Sequence, residues 1–291
     1  MAKVAYIDNV GLSKQNLDRL ETINRIIEEY AADGYVLTLR QLYYQLVARG
    51  VLPNSDKEYK KMGSILGKGR MAGIVDWDAI EDRTRRPQRP YWVTGIPGAL
   101  DDTINQYRLD RMDGQDYIEV WVEKDALSGV LKRITERYHI RLMVNKGYSS
   151  ITAMHDAAER MEYEDGVTIL YLGDHDPSGL DMVRDIEERL NGFGIENLDV
   201  VPIALTHDQI QQYNPPPNPA KVTDPRAGWY IEQFGTTSWE VDALPPAVLH
   251  EILEGEIRSR IDIDLYEDMV QQEREDKDEL RRFRDEVMNR E

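Results

Sequence analysis

Along the first ninety residues apolar positions recur at the three-to-four spacing of helices. Leu17, Leu20, Ile23, Ile27 and Tyr30 form one stripe, so a helix is expected over 13–33, opened by Ser13 and stopped at Asp33-Gly34. A second begins at Thr38, where Gln41 three residues on completes a capping-box pattern, and runs through Leu39-Arg40-Gln41-Leu42-Tyr43-Tyr44-Gln45-Leu46-Val47-Ala48-Arg49 to Gly50. A third is expected over Glu58–Met71, followed by a short strand and turn at Gly73-Ile74-Val75-Asp76-Trp77. Three short helices and a small β element resemble a winged helix-turn-helix. A small helical cap with a solvated basic face would give the same pattern.

From Tyr117 the pattern changes to short apolar runs separated by helical segments. Strands are expected at Tyr117–Val122, Arg141–Val144, Thr168–Leu172 and Leu198–Leu205, with helices at Ala126–Arg137, Ser150–Met161 and Gly179–Leu190. Such alternation predicts a parallel sheet covered on both faces, so the fold class is α/β: an N-terminal winged-helix-like helical domain followed by a parallel α/β sheet domain. The expected organisation is a helical domain over 1–90, a connector over 91–116, the sheet domain with its C-terminal extension over 117–265, and a charged tail over 266–291. In the connector, a helix-compatible stretch covers Ala99–Met112. Asn214-Pro215-Pro216-Pro217-Asn218-Pro219 is neither helix nor central strand, and a further helix is expected from Ala247 to about Ile261. The tail reads as a charged helix or a frayed end with no evident chemistry.

Two of the strands run straight into carboxylates. Val122 is followed by Glu123, and Leu172 by Gly173-Asp174-His175-Asp176-Pro177-Ser178-Gly179. Open α/β sheets hold their ligands at strand carboxyl ends. Glu123, Asp174 and Asp176 converging there would suit Mg²⁺, a hard cation that takes oxygen ligands and keeps waters; solvated loop acids are the plain alternative. The loop after the second strand, Asn145-Lys146-Gly147-Tyr148-Ser149-Ser150, lies at the same edge, where Lys146 and Ser149 could touch a substrate phosphate or simply make a turn.

Composition narrows this picture. The chain has 291 residues and no Cys, which excludes disulfides and thiolate metal sites. Its start lacks an apolar leader core and no stretch approaches bilayer length, so a cytoplasmic protein is expected. The net charge of −18 argues against nucleic acid at first sight. Its distribution does not: residues 1–90 carry 15 basic and 12 acidic side chains, while the remaining 201 carry 21 and 42. Lys57, Lys60, Lys61, Lys68 and Arg70 fall on or beside the third helix, and Arg83, Arg85, Arg86 and Arg89 in the Arg/Pro-rich stretch 82–90 that leads into the connector. These are the candidate DNA contacts, through bidentate guanidinium–phosphate bonds in that stretch; a soluble linker paired with the acidic domain is the competing explanation.

Helix geometry separates the adjacent tyrosines. Leu39, Leu42, Tyr43, Leu46 and Val47 form a buried stripe that includes Tyr43. Tyr44 is rotated off it and follows Arg40 by four residues, which places the two side chains side by side. A free phenol, with a pKa of about 10, is a poor nucleophile. An adjacent cation would favour phenolate or hold a phosphate; a half-buried amphipathic Tyr is the structural explanation. No P-loop, HExxH or G-x-S-x-G is present, and the five scattered histidines make a zinc site a poor fit. An Asp-x-Asp strand end also occurs in haloacid-dehalogenase-type phosphotransferases, but that chemistry needs Thr or Val where Ser178 stands and gives Glu123 no role.

Glu123 followed at a distance by Asp174-x-Asp176 and Pro177-Ser178-Gly179 resembles the Toprim fold of topoisomerases, primases and related nucleases. The Asp-His-Asp-Pro-Ser-Gly run is most similar to the A subunit of type IIB topoisomerases (topoisomerase VI) and the related meiotic double-strand-break transesterase. Arg40-Gln41-Leu42-Tyr43-Tyr44 resembles that family's Arg-Asp-Ile-Tyr-Tyr signature, with Gln41 in place of Asp, and Glu240-Val241-Asp242-Ala243-Leu244 its Glu-x-x-Ala-Leu patch. The resemblance spans roughly residues 20–260, in a chain shorter than a full A subunit. It implies that Tyr44 attacks a DNA phosphodiester to give a 5′-phosphotyrosyl link, with Arg40 assisting and Mg²⁺ on Glu123, Asp174 and Asp176. It also implies a nucleoid-associated homodimer acting on double-stranded DNA, the Tyr of one protomer meeting the acids of the other. ATP-driven strand passage would require a separate ATPase (B-type) subunit. A Toprim nuclease using metal-bound water, and a non-catalytic DNA-binding protein, are the alternatives.

Overall fold

A computed structural model describes residues 3–288 except 9, 82–89, 221–223 and 225. Arg83, Arg85, Arg86 and Arg89 therefore lie outside the described residues. The chain opens with helix α1 (Lys14–Ala32), capped by Ser13, whose hydroxyl accepts from Asn16 N. Strand β1 (Leu37–Thr38) leads into α2 (Leu39–Ala48), where Thr38 and Gln41 form the expected reciprocal capping box. Helix α3 (Asp56–Met71) follows, then β2 (Ile80–Glu81), which pairs in parallel with β1. Leu20, Ile23 and Ile26 of α1, Leu42, Tyr43 and Leu46 of α2 and Met62, Ile65 and Leu66 of α3 close one apolar core.

Of the short strand and turn expected at Gly73–Trp77, the turn is present and the strand is not. Ile74 N and Val75 N both bond back to Gly69 O, and Gly73 at φ +67 provides the left-handed residue that ends α3, so the backbone groups a ladder would need are spent on the helix terminus. Helix α4 (Ile96–Gln106) starts earlier than the sequence suggested, with Pro97 in its first turn, and ends earlier, at Tyr107.

The second half is the expected parallel α/β unit. Strands β3 (Tyr117–Val122), β4 (Arg141–Val144), β5 (Val167–Leu172) and β6 (Leu198–Ala204) form an all-parallel sheet in the order β4-β3-β5-β6. Period-two alternation splits β3 between the faces. Ile118, Val120 and Val122 pack with α5 (Ser128–Tyr138) and α10 (Pro246–Arg258), whereas Trp121 packs with α6 (Ile151–Met161) and α7 (Pro177–Gly192). Glu119, fully buried on the Trp121 side, is satisfied by Tyr117 Oη at 2.7 Å, Trp121 Nε1 at 2.8 Å and Arg160 Nε at 3.1 Å.

Helix α8 (His207–Tyr213), strand β7 (Asn218–Pro219), helix α9 (Ala227–Phe234) and strand β8 (Thr237–Ser238) make the C-terminal extension; β7 and β8 pair antiparallel as a short edge ladder, a place where Pro is tolerated. The final helix, α11 (Ile263–Met288), packs against α4. Among the described residues no helix is long and apolar enough to cross a membrane.

Candidate active site

The order β4-β3-β5 means that the chain leaves β3 to one side and returns to β5 on the other. The carboxyl ends of β3 and β5 therefore flank a topological switch point, where an open sheet leaves a crevice. Glu123 and Asp174 stand at those two ends, and the Glu123 carboxylate accepts Asp174 N at 3.1 Å. Asp176 is the N-cap of α7: its Oδ1 accepts Gly179 N at 2.7 Å and Ser178 Oγ at 3.0 Å. The loop closes so tightly that a Cβ on Gly179 would lie 2.1 Å from Asp174 O, so only glycine fits there.

His175, between the two aspartates, points the other way. It is 2% exposed, its Nδ1 lies 2.9 Å from Tyr230 Oη, and its ring packs on Phe234 and Trp239. Burial, then His207, brings its imidazole down to about 4, so it is a neutral interior side chain at physiological pH. Its backbone exchanges hydrogen bonds with Trp239, at 2.9 and 3.1 Å. That bridge fixes the chain just before Glu240 and Asp242 and turns both carboxylates toward Asp174.

The result is an ion network joining both halves of the protein. Lys124 Nζ lies 2.7 Å from Asp174 Oδ1, 2.7 Å from Glu240 Oε2 and 3.3 Å from Asp242 Oδ1. Arg40 Nε of α2 donates to Asp242 Oδ2 at 2.6 Å, and its Nη2 pairs with Glu240 and reaches Tyr44 Oη at 3.5 Å. Val241 N donates to Asp174 Oδ1 at 2.9 Å, and Asn218 Nδ2 to Glu240 Oε1 at 3.0 Å. Arg40, Tyr44, Asp174, Asp176, Asn218 and Glu240 line one cleft of about 300 Å³, walled also by Tyr43, Tyr59 and Trp239.

Of the expected residues, the fold thus brings Tyr44, Arg40, Asp174 and Asp176 to one cleft of a single chain, with Glu123 bonded behind it. Tyr43 is core, 3% exposed. Tyr44 is buried too, at 5%, because the Glu240 side of the extension covers the face that α2 alone would leave open. The expectation that Arg40 favours phenolate is reversed: burial, then the Asp242 and Glu240 carboxylates, hold the Tyr44 proton well above its ordinary range and outweigh Arg40. Lys60, Lys61 and Lys68 are exposed on α3. Arg70 is engaged inside the helical domain, donating to Trp77 O at 2.8 Å and Ile80 O at 2.5 Å, so it is a turn-holding residue. Lys146 is exposed and Ser149 Oγ is buried without a hydrogen-bond partner; neither lines the cleft.

Sequence reasoning missed Lys124 and the partnership of Glu240 and Asp242 with Arg40. Two signals were present: a lysine directly after Glu123, and two acids in the Glu240–Leu244 stretch.

The donor set suits a hard divalent cation. Burial, with Glu123 and Asp242 adding to it, raises the Asp174 carboxyl to about 8 in spite of Lys124. Among the described residues, the hydrogen bonds to Asp174 and Asp176 fall on Oδ1, which orients both carboxylates. The three acids do not close into a group whose ligand atoms all lie within 4.8 Å of one another; the group that does is the exposed His155, Asp156 and Glu159 on α6. In comparisons with known proteins, no protein-family model matches the chain and no curated protein is significantly similar to it in sequence.

Proposed function

We propose that this protein cleaves double-stranded DNA by Mg²⁺-dependent tyrosyl transesterification, the chemistry of the type IIB topoisomerase A subunits that its sequence resembles, but with Tyr44 and the acids supplied by one chain where that resemblance implies the acids of a second protomer. The observation that carries this reading is the single cleft shared by Tyr44 and Arg40 of α2 with Asp174 and Asp176 of the β5–α7 loop. In the proposed step Tyr44 Oη attacks phosphorus, a Tyr44 O–P bond forms, and the bond from phosphorus to the 3′-oxygen breaks. The products are a 5′-phosphotyrosyl link and a 3′-hydroxyl. The proton leaving Tyr44 passes through solvent to the departing 3′-oxygen, so the step is balanced without a protein base.

Arg40 orients the phosphate beside Tyr44. Bound at Glu123, Asp174 and Asp176, Mg²⁺ would offset charge developing on the phosphate and leaving oxygens. Lys57, Lys60 and Lys61 are exposed on α3, the helix whose Asp56 and Tyr59 line the cleft, and are suited to the DNA backbone. Breaking both strands calls for two copies, and a C₂ dimer matches the duplex; strand passage would call on a separate ATPase subunit.

The deciding experiment incubates the protein with supercoiled DNA and Mg²⁺, quenches with denaturant and maps any covalent adduct. An adduct on Tyr44, lost in Tyr44→Phe, is expected. A second reading, hydrolysis by a metal-bound water, is favoured by the burial of Tyr44 and its tightly held proton. Tyr44→Phe that still cleaves without an adduct would select it, and absence of metal-dependent cleavage would leave a DNA-binding protein.

A further inference from the structure

We infer that Lys124 is a built-in cation that a divalent metal must displace from Asp174, and that this exchange governs whether Arg40 is available to a phosphate. The inference rests on the proposed cation site at Glu123, Asp174 and Asp176. Lys124 follows Glu123 directly, and its side chain is 16% exposed. Its ammonium touches Asp174, Glu240 and Asp242 at once. The last two are also the partners of Arg40, and Arg40 Nη2 is the guanidinium nitrogen that reaches Tyr44. A continuous line of charge therefore runs from Asp174 through Lys124, Glu240 and Asp242 to Arg40.

An ammonium and a divalent ion cannot share Asp174 cheaply, since like charges at contact distance repel strongly in a partly buried setting. Driven off Asp174, Lys124 retains Glu240 and Asp242. By neutralising those carboxylates more fully it weakens their hold on Arg40, which then turns to a phosphate beside Tyr44. Without the metal, Arg40 stays locked to Glu240 and Asp242, and the cleft is closed to an anion.

The test is Mn²⁺ binding by the full chain without DNA, read as loss of the free-ion electron paramagnetic resonance signal. Asp174→Asn serves as the blank for surface binding such as that at His155, Asp156 and Glu159. Lys124→Gln is expected to bind at the Asp174-dependent site about tenfold more tightly than the native protein, and Lys124→Arg, which keeps the charge, no more tightly. If Lys124→Gln fails to fold, the native protein provides the readout: the NMR resonances of the Lys124 ε-methylene should shift with Mg²⁺ occupancy, and should stay still in Asp174→Asn. Equal or weaker Mn²⁺ binding by folded Lys124→Gln overturns the inference. So do a Lys124 resonance unmoved at saturating Mg²⁺ and the absence of any Asp174-dependent binding. Because no DNA is present, a protein that binds metal as expected yet never forms an adduct counts only against the transesterase reading.

Discussion

On the C-terminal helix, Glu273 is surrounded by Arg111, Lys277 and Arg108, one carboxylate among three cations. At the strand ends Asp174, Glu240 and Asp242 share Lys124 and Arg40, three carboxylates on two cations. Both clusters join segments more than a hundred residues apart, and their titration behaviour separates them. Burial alone would raise Glu273, but Lys277 and Arg111 bring it down to about 2; Asp174 is raised to about 8 with Lys124 in contact. A network built to hold a helix in place satisfies its acid. The strand-end network satisfies Glu240 in the same way, down to about 2, but leaves Asp174 raised, chiefly by its burial, with Glu123 and Asp242 adding to it.

The anchor should be the more costly of the two to break. Arg111→Ala removes the bidentate partner of a carboxylate that is 3% exposed and leaves it with Lys277 and the more distant Arg108. A loss of about 2 to 3 kcal/mol is expected in urea unfolding, with the Mn²⁺ affinity of the folded protein unchanged. A stability loss under about 0.5 kcal/mol would place this cluster with ordinary surface pairs.

Glu240→Gln gives a smaller effect that depends on pH. Burial pushes the Glu240 carboxyl up, but Lys124 and Arg40 bring it down to about 2, against an ordinary 4.5. A carboxyl lowered in the fold stabilises above its unfolded value, and that contribution disappears as pH falls toward 2. The native protein should therefore lose stability below about pH 4.5 more steeply than Glu240→Gln, by about 1 to 2 kcal/mol over that interval. Parallel acid limbs for the two proteins would contradict the pairing.

The contrast also marks what could be read without coordinates. Thr38 and Gln41 announced the start of α2, the Tyr43 stripe its core face, and the runs leading into Glu123 and Asp174 the strand ends that carry the acids. Each is a local signal, carried within one turn or one strand. Tyr44 was not legible in the same way: its burial comes from the extension around Glu240, about two hundred residues later. His175 stands between two acids yet faces inward, because Tyr230 and Trp239 hold it. The 73–77 segment carries strand-forming residues, but its amides serve the end of α3. Helix α11 reads mainly as charge in sequence; the buried Glu273 that docks it together with Tyr266 becomes visible once Arg111 and Leu109 are seen to donate to it.

The central claim is that one chain supplies both the nucleophile and the acids of one cleft. Mixing Tyr44→Phe with Asp174→Asn after co-refolding, and assaying covalent adducts on supercoiled DNA with Mg²⁺, tests it most directly. The account predicts that the native protein forms the adduct and that the mixture, like each variant alone, forms none, since no cleft in it is whole. Adduct formation restored by the mixture would show Tyr44 of one copy acting with Asp174 of another, and would contradict it.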